Sequence, residues 1–191
     1  MMLTINLTSL PILETTRLIL REHSLEDAAP YLELRSSEVI MKYIDRPRYK
    51  DLEESRTVLQ SLIDGFHKRT NLLWAIALKD EPGKMIGNVG FWRTELENHR
   101  AEIGYILHSD YWRQGILSEA LTAVIEFAFS EVGLHSISAN INPANTASRQ
   151  LLLKHGFEKE AYHKENYYFN GKFLDSELYG LLNPYHQARD F

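Results

Sequence analysis

The sequence predicts an α+β protein: a mixed, mostly antiparallel twisted sheet of about seven strands, with helices on both faces. Three observations predict it. Strand-length runs of apolar or alternating residues, beginning with "LLWAIAL" (72–78), follow one another through 72–108 with only short turns between them. One amphipathic helix, within 116–130, separates the strand-like runs "AEIGYILH" (101–108) and "HSISANIN" (135–142), which reads as a single β-α-β crossover. The tail places "NGK" (170–172) between two aromatic-rich runs, a hairpin signal.

Taken in order, "MLTINLTSL" (2–10) alternates weakly and is an expected extra N-terminal strand. "TRLILREH" (16–23) sets Leu18 and Leu20 against Arg17, Ile19 and Arg21, and reads as a strand. "SLEDAAPYLELRSS" (24–37) opens with Ser24 and Asp27 at capping-box spacing and continues as a helix, in which Pro30 argues for a kink or break. In "DLEESRTVLQSLIDGFHKR" (51–69), Leu52, Val58, Leu59, Leu62, Ile63 and Phe66 approximate a helical stripe. The strand 72–78 is closed by the turn "KDEPGK" (79–84). "MIGNVGFWRTEL" (85–96) is the next strand, and "ENHR" (97–100) is its hairpin loop to 101–108. After the crossover, "NTASRQLLLKHGF" (145–157) is a short helix, with Asn145 as N-cap and Gly156 as the C-terminal glycine.

The 191 residues suit one domain and are short for two. Hydrophobic residues make up 44% and charged residues 25%, the composition of a globular protein. The net charge of −5 argues against non-specific binding to nucleic acid or anionic membrane and suits a basic partner or an amine substrate. With no cysteine, thiolate nucleophiles, disulfides and cysteine metal sites are excluded, and no metal is expected. No apolar run approaches the ~20 residues that span a bilayer, and the start lacks a signal-peptide pattern. The expectation is a cytoplasmic protein.

Chemistry concentrates in "YWRQGILSEAL" (111–121) and its flanks. If a helix starts near Ile116, the main-chain N–H groups of about 113–118 have no intrahelical acceptor and sit at the positive end of the helix dipole. Gly115 permits close approach, and Arg113 and Gln114 add donors, so a phosphate or pyrophosphate fits. Neither a P-loop nor a G-x-G-x-x-G fingerprint is present. On the preceding strand, alternation puts Glu102, Gly104, Ile106 and His108 on one face, and Ala101, Ile103, Tyr105 and Leu107 on the other. Two titratable groups on one face beside an anion turn could transfer protons. Trp74, Phe91, Trp92 and "NYYF" (166–169) either wall an acceptor pocket or fill the core.

The succession "MIGNVGF…AEIGYILHSDYWRQGILSEAL…NPANTASRQLLLKHGF" resembles the GNAT superfamily of acetyl-CoA-dependent N-acetyltransferases, in the branch of ribosomal-protein N-terminal Ser/Ala acetyltransferases. The resemblance covers about 14–182 and implies a single N-acetyltransferase domain over 1–191. In the superfamily's Q/R-x-x-G-x-G/A signature, Trp112 stands at the first position, and Arg113 and Leu117 stand where small residues are usual. The resemblance implies splayed central strands, with the pantetheine arm pairing with main-chain groups near Ile106 and Leu107. It also implies a bulge there, whose N–H would polarise the thioester carbonyl. The pyrophosphate would lie against Arg113, Gln114, Gly115, Ile116, Leu117 and Ser118. "NTAS" matches the family's N-x-x-S and would set Asn145 and Ser148 beside the pantetheine and the sulfur.

The implied reaction moves an acetyl group from acetyl-CoA to a primary amine by direct attack. The acceptor would be a protein N-terminal α-amine, such as that of a basic ribosomal protein, or a small amine. Glu102 is the expected base, with His108 second. Ser148 is the expected proton donor to the leaving thiolate, with Tyr167 or Tyr168 as alternatives. Members of the branch are often homodimers, so pairing with a second copy is a further expectation. The competing readings are a CoA-binding sensor or structural protein without turnover, motivated by Arg113 and Leu117, and a nucleotide-phosphate binder without acyl chemistry.

Overall fold

A computed structural model describes residues 3–5 and 7–185. Eight strands form one sheet in the order β1-β2-β3-β4-β5-β6-β8-β7. They are β1 (Leu13–Glu14), β2 (Leu18–Arg21), β3 (Leu72–Leu78), β4 (Glu81–Glu95), β5 (Arg100–Leu107), β6 (Ser136–Ile141), β7 (Glu158–Phe169) and β8 (Lys172–Leu182). Four α-helices accompany them: α1 (Ala28–Ser36), α2 (Leu52–His67), α3 (Ile116–Phe127) and α4 (Thr146–Lys154). Every neighbouring pair is antiparallel except β5 and β6, the pair joined through α3. This is the predicted architecture, with one strand more than expected.

Two apolar layers cover the sheet. On one face, α3 (Ile116, Ala120, Leu121, Val124) and Leu152 of α4 pack with Leu18, Leu20, Trp74, Phe91 and Ile103. On the other, α1 and α2 contribute Ala28, Tyr31, Leu34 and Leu59, which pack against Ala75, Met85 and Ile106. The alternation read along 101–108 is therefore real: Ala101, Ile103, Tyr105 and Leu107 face the α3 layer, and Ile106 faces the α1–α2 layer. Trp74 and Phe91, both candidates for a pocket wall, are fully buried core.

Three expectations change. No strand forms in the described part of 2–10, while Met2 and Asn6 lie outside the described residues. Ile5 and Leu10 are instead buried irregular chain that plugs the α3-side core, and the extra strand is the two-residue β1. Pro30 neither kinks nor breaks its helix. A 3₁₀ turn, Leu25–Asp27, comes first, so Pro30 falls in the first turn of α1, where its missing N–H has no intrahelical role. The bulge implied near Ile106 and Leu107 lies elsewhere. β4 and β5 stay in register from Gly87↔Leu107 to Phe91↔Ile103, and the shift falls between Phe91 and Arg93, making Trp92 the extra residue in β4.

The feature that matters most for function is where β5 and β6 part. They pair only at Arg100↔Ser136, Ala101↔Ile137 and Glu102↔Ser138. β5 continues to Leu107 and β6 to Ile141, each held by its outer neighbour, β4 and β8. The sheet therefore opens from Glu102 onward. Among the described residues, no helix is long and apolar enough to cross a membrane.

Candidate active site

The turn ahead of α3 is built to present main-chain donors. The first α-helical bond runs from Glu119 N to Gly115 O at 3.0 Å, so the N–H groups of Ile116, Leu117 and Ser118 have no helical acceptor. Gly115 sits at φ +77°, a left-handed conformation that favours glycine, and Arg113 also takes a positive φ of 60°. Leu117 packs its side chain against the α3-side core, so the bulk at this position points inward.

The turn is braced from three sides. The Trp112 indole donates to Leu107 O at 2.8 Å, and the Gln114 amide donates to Asp110 O at 2.7 Å. From the β1–β2 hairpin, Arg17 donates to Gln114 O at 2.9 Å and to Glu119 Oε2 at 2.7 Å. Glu119 also accepts from Thr15 Oγ at 2.5 Å and from Arg17 N at 2.8 Å, which holds its carboxyl below the usual range despite the cost of desolvation. Gln114, expected to offer a donor outward, thus braces the loop. Arg113 is exposed, and its guanidinium has no partner among the described residues. Arg17 is invisible as a site residue in sequence, because only the fold brings it across about a hundred positions.

The open edge of β5 selects which residues offer main-chain groups. His108 N bonds to Ile86 O at 2.9 Å, so by antiparallel alternation Ile106 is the next residue bonded to β4. Its carbonyl indeed occupies the space that a Cβ on Gly87 would need. Tyr105 and Leu107 turn their main chains the other way, into the opening. Of the two expected positions, Ile106 is committed to β4, and Leu107 faces the opening with its carbonyl held by Trp112.

Across the opening stands the N-terminus of α4. Asn145 caps it, accepting from Ser148 N at 3.1 Å through Oδ1. The hydroxyl of Ser148, itself buried, lies 2.7 Å from Tyr105 Oη. Burial pushes the Tyr105 phenol up to about 12, although the bond to Ser148 works the other way. Tyr105 therefore stays protonated and able to donate at neutral pH. Strand alternation places Tyr105 on this face without marking it as chemical. Tyr167 lies instead against Asp45, and Tyr168 is exposed beside Phe173, their ring centroids 5.1 Å apart. Ser118 Oγ lies 3.1 Å from His155 Nε2, at the far end of α4.

On the other face of β5, Glu102 has a side chain only 16% exposed. Desolvation raises its carboxyl above the ordinary value, opposed by the Arg93 charge and by the neighbouring Trp92 indole. Arg93 Nη1 stands 3.8 Å from Glu102 Oε2, too far for a hydrogen bond. A half-buried carboxylate with a raised affinity for protons, at the point where the sheet opens, is placed to take a proton. His108 serves a local structural purpose, because its Nδ1 accepts from Asp110 N at 3.3 Å and caps the short turn Ser109–Tyr111. It also lines a cavity of about 260 Å³ with Leu34, Met85 and Tyr111, at the end of β5 far along the strand from Glu102.

The arrangement thus joins an anion-binding turn, an opened strand edge, a hydroxyl pair on one side and a carboxylate on the other. Comparison with known proteins gives the same grouping. Residues 17–158 match the family described as "Acetyltransferase (GNAT) domain". The "Uncharacterized N-acetyltransferase YoaA" of Bacillus subtilis (strain 168) is 33% identical over 174 residues, covering 91% of this chain and 98% of that one. The "[Ribosomal protein uS5]-alanine N-acetyltransferase" of Escherichia coli (strain K12) is 31% identical over 124 residues, 64% of each chain. Among solved structures, a RimL ribosomal L7/L12 α-N-protein acetyltransferase in complex with coenzyme A superposes with a TM-score of 0.81 at 24% identity, covering 90% of this chain and 98% of that one.

Proposed function

The chain belongs to the GNAT family of acetyltransferases and is an N-acetyltransferase with acetyl-CoA as co-substrate, and from this premise we propose that its acceptor is the α-amine at a protein N-terminus. The carrying observation is the pairing of Glu102 on one face of the opened strand with Tyr105 and Ser148 on the other. Only a neutral amine attacks a thioester. At pH 7 roughly a tenth of α-amines are neutral, given a pKa of about 7.7–8.0, against less than a thousandth of lysine side chains at about 10.4. A carboxylate base whose proton affinity is raised by desolvation suits the amine that is already close to losing its proton. The relatives named for alanine at ribosomal protein uS5 and for ribosomal L7/L12 support the same acceptor class.

In this reading the donor's pyrophosphate rests on the N–H groups of Ile116, Leu117 and Ser118, with Gly115 allowing the approach and Arg113 adding the unspent guanidinium. What supports an anion here is that the N–H groups of Ile116, Leu117 and Ser118 have no helical acceptor. The pantetheine enters where β5 and β6 part, against the main chain of Tyr105 and Leu107, with the Asn145 amide beside it. The amine nitrogen attacks the acetyl carbonyl as Glu102 takes its proton. The new C–N bond forms and the C–S bond breaks. The Ser148 hydroxyl, which Tyr105 holds in place by its hydrogen bond, hands on a proton to the CoA thiolate. The Ser148 proton is replaced from solvent, and Glu102 gives the amine's proton back to solvent, so the cycle ends with every group in its starting state. A thiol near ~8.5 needs little help to leave, so holding amine and thioester together supplies most of the rate.

The test is transfer from labelled acetyl-CoA to a panel containing free-N-terminal peptides, the same peptides with blocked N-termini and an internal lysine, and polyamines, with the label located by mass spectrometry. Label on the α-nitrogen of the free peptides supports the proposal. Label confined to lysine or polyamine overturns it. Binding of acetyl-CoA with no transfer to any acceptor would instead favour a sensor.

A further inference from the structure

Outside the reacting groups, one cluster on the α1–α2 face is unaccounted for. The bulge turns the Trp92 indole onto the strand beside Glu102: a Cβ on Gly104 would meet Trp92 Cδ1 at 3.2 Å. The ring stays 37% exposed although it is large and apolar. Two guanidinium groups lie over it, Arg93 Cζ at 4.5 Å and Arg46 Cζ at 5.8 Å from the ring centre. Arg46 comes from the loop after α1, 46 positions earlier than the indole it covers. Its guanidinium has no carboxylate within ion-pair distance among the described residues. The neighbouring Asp45 does not serve it, because that carboxylate is taken by the Tyr167 hydroxyl and by Asn142 Nδ2 at 3.2 Å. Arg93 reaches Glu102 only at 3.8 Å. Each guanidinium carries five N–H donors, so most of this pair's capacity is unspent.

We propose that Arg46, Trp92 and Arg93 form an acceptor subsite for the acidic side chain of a peptide, so that the substrate is an N-terminus followed within one or two residues by Asp or Glu. The inference rests on Glu102 marking the place of the amine. An extended peptide advances about 3.3 Å per residue, so a carboxylate one or two residues on reaches the indole and its guanidinium groups. Guanidinium binds carboxylate in a fork geometry that a lone ammonium does not offer, and the stacked indole holds the fork in place without neutralising it. The net charge of −5 suggests a basic partner, but at this point of the surface the local charge decides, because bulk charge is screened beyond about 8–10 Å.

The test compares peptides with a common N-terminal residue and Asp, Asn or Lys at the second and third positions. Their binding to the CoA-saturated protein is measured by calorimetry, and their kcat/KM for acetyl transfer is measured in parallel, both at low and high salt. The Asp peptides should bind about fivefold more tightly than the Asn peptides, the size of a partly screened ion pair, and the difference should shrink with salt. Arg46→Gln should bring the Asp-to-Asn ratio close to one, and Arg46→Glu should reverse the order in favour of Lys. Equal binding of Asp and Asn peptides, or a ratio unchanged in both variants, overturns the subsite. Acidic peptides that bind preferentially but receive no acetyl group overturn the N-terminal acceptor while leaving the subsite standing.

Discussion

At the residue scale, Glu102 carries the sharpest expectation. Glu102→Gln keeps the shape but cannot take a proton, and kcat/KM should fall by about 10²-fold. Against pH, wild-type kcat/KM should rise as Glu102 and then the amine lose their protons, whereas the variant should keep only the limb set by the amine; initial rates from pH 5 to 9 check both. His23 tests the buried chemistry away from the site. Neither ring nitrogen has a hydrogen-bond partner, Asp27 lies 4.0 Å away, and burial lowers the imidazole to about 4. Its folded value lies below the unfolded one near 6.5, so the unfolded chain binds the extra proton between these values. The stability from a neutral His23 is complete above pH 6.5 and is lost as pH falls toward 4. His23→Leu should remove about 2 kcal/mol of the loss between pH 7 and 5, read from urea unfolding at each pH. Of these residues, only Glu102 was legible in sequence, through strand alternation. His23 and Tyr105 became chemical groups only once burial surrounded them.

At the element scale, the two helix N-termini that flank the opening were both legible, because caps and glycines are local signals. Asn145 as cap, Gly156 as terminator and Gly115 ahead of α3 all stand where they were expected. What was not legible is how each end is braced. Arg17 and Glu119 clamp the turn before α3. Arg149 pins α4 to Glu177 of β8 at 3.1 Å and to Pro143 O at 2.6 Å. Glu177 is buried and also accepts from Lys159 at 2.7 Å and from the Tyr179 hydroxyl at 3.0 Å, so despite desolvation these two and Arg149 hold its carboxyl low. Asn145→Ala should cost about 1 kcal/mol of stability for the lost cap. It should also raise the KM for acetyl-CoA more than that for the acceptor. A thermal melt and two-substrate kinetics separate the two effects. Pro30 belongs here as well: a helix with a 3₁₀ first turn shifts the proline into the one place where it does no harm.

At the scale of the whole molecule, the sheet is two blocks that share only three paired positions between β5 and β6. Beyond them, Asp45 from the loop after α1 meets Tyr167 of β7 and Asn142 after β6, across the opening. This contact ties the α1–α2 side to the β6–β8–β7 side beyond the last paired positions of β5 and β6. Tyr167→Phe removes a hydrogen bond to a charged group and should cost about 1.5 kcal/mol. If the tie sets the spacing of the opening, the KM for the peptide should rise severalfold while the affinity for CoA measured by calorimetry stays near wild type. Unchanged kinetics with lowered stability would make the tie purely structural.

The sequence by itself determined the order of nearly all the elements, the single crossover, the faces of β5 and the turn before α3. These rest on period, caps and turn residues, whose physics is local. Tertiary structure alone decided that the bulge falls at Trp92, that Ile106 spends its main chain on β4, and that Tyr105 meets Ser148. It also decided that Arg17, Asp45 and Arg46 reach groups tens of positions away. Register, burial and long-range pairing depend on which strands lie side by side, and no local window of residues contains that information.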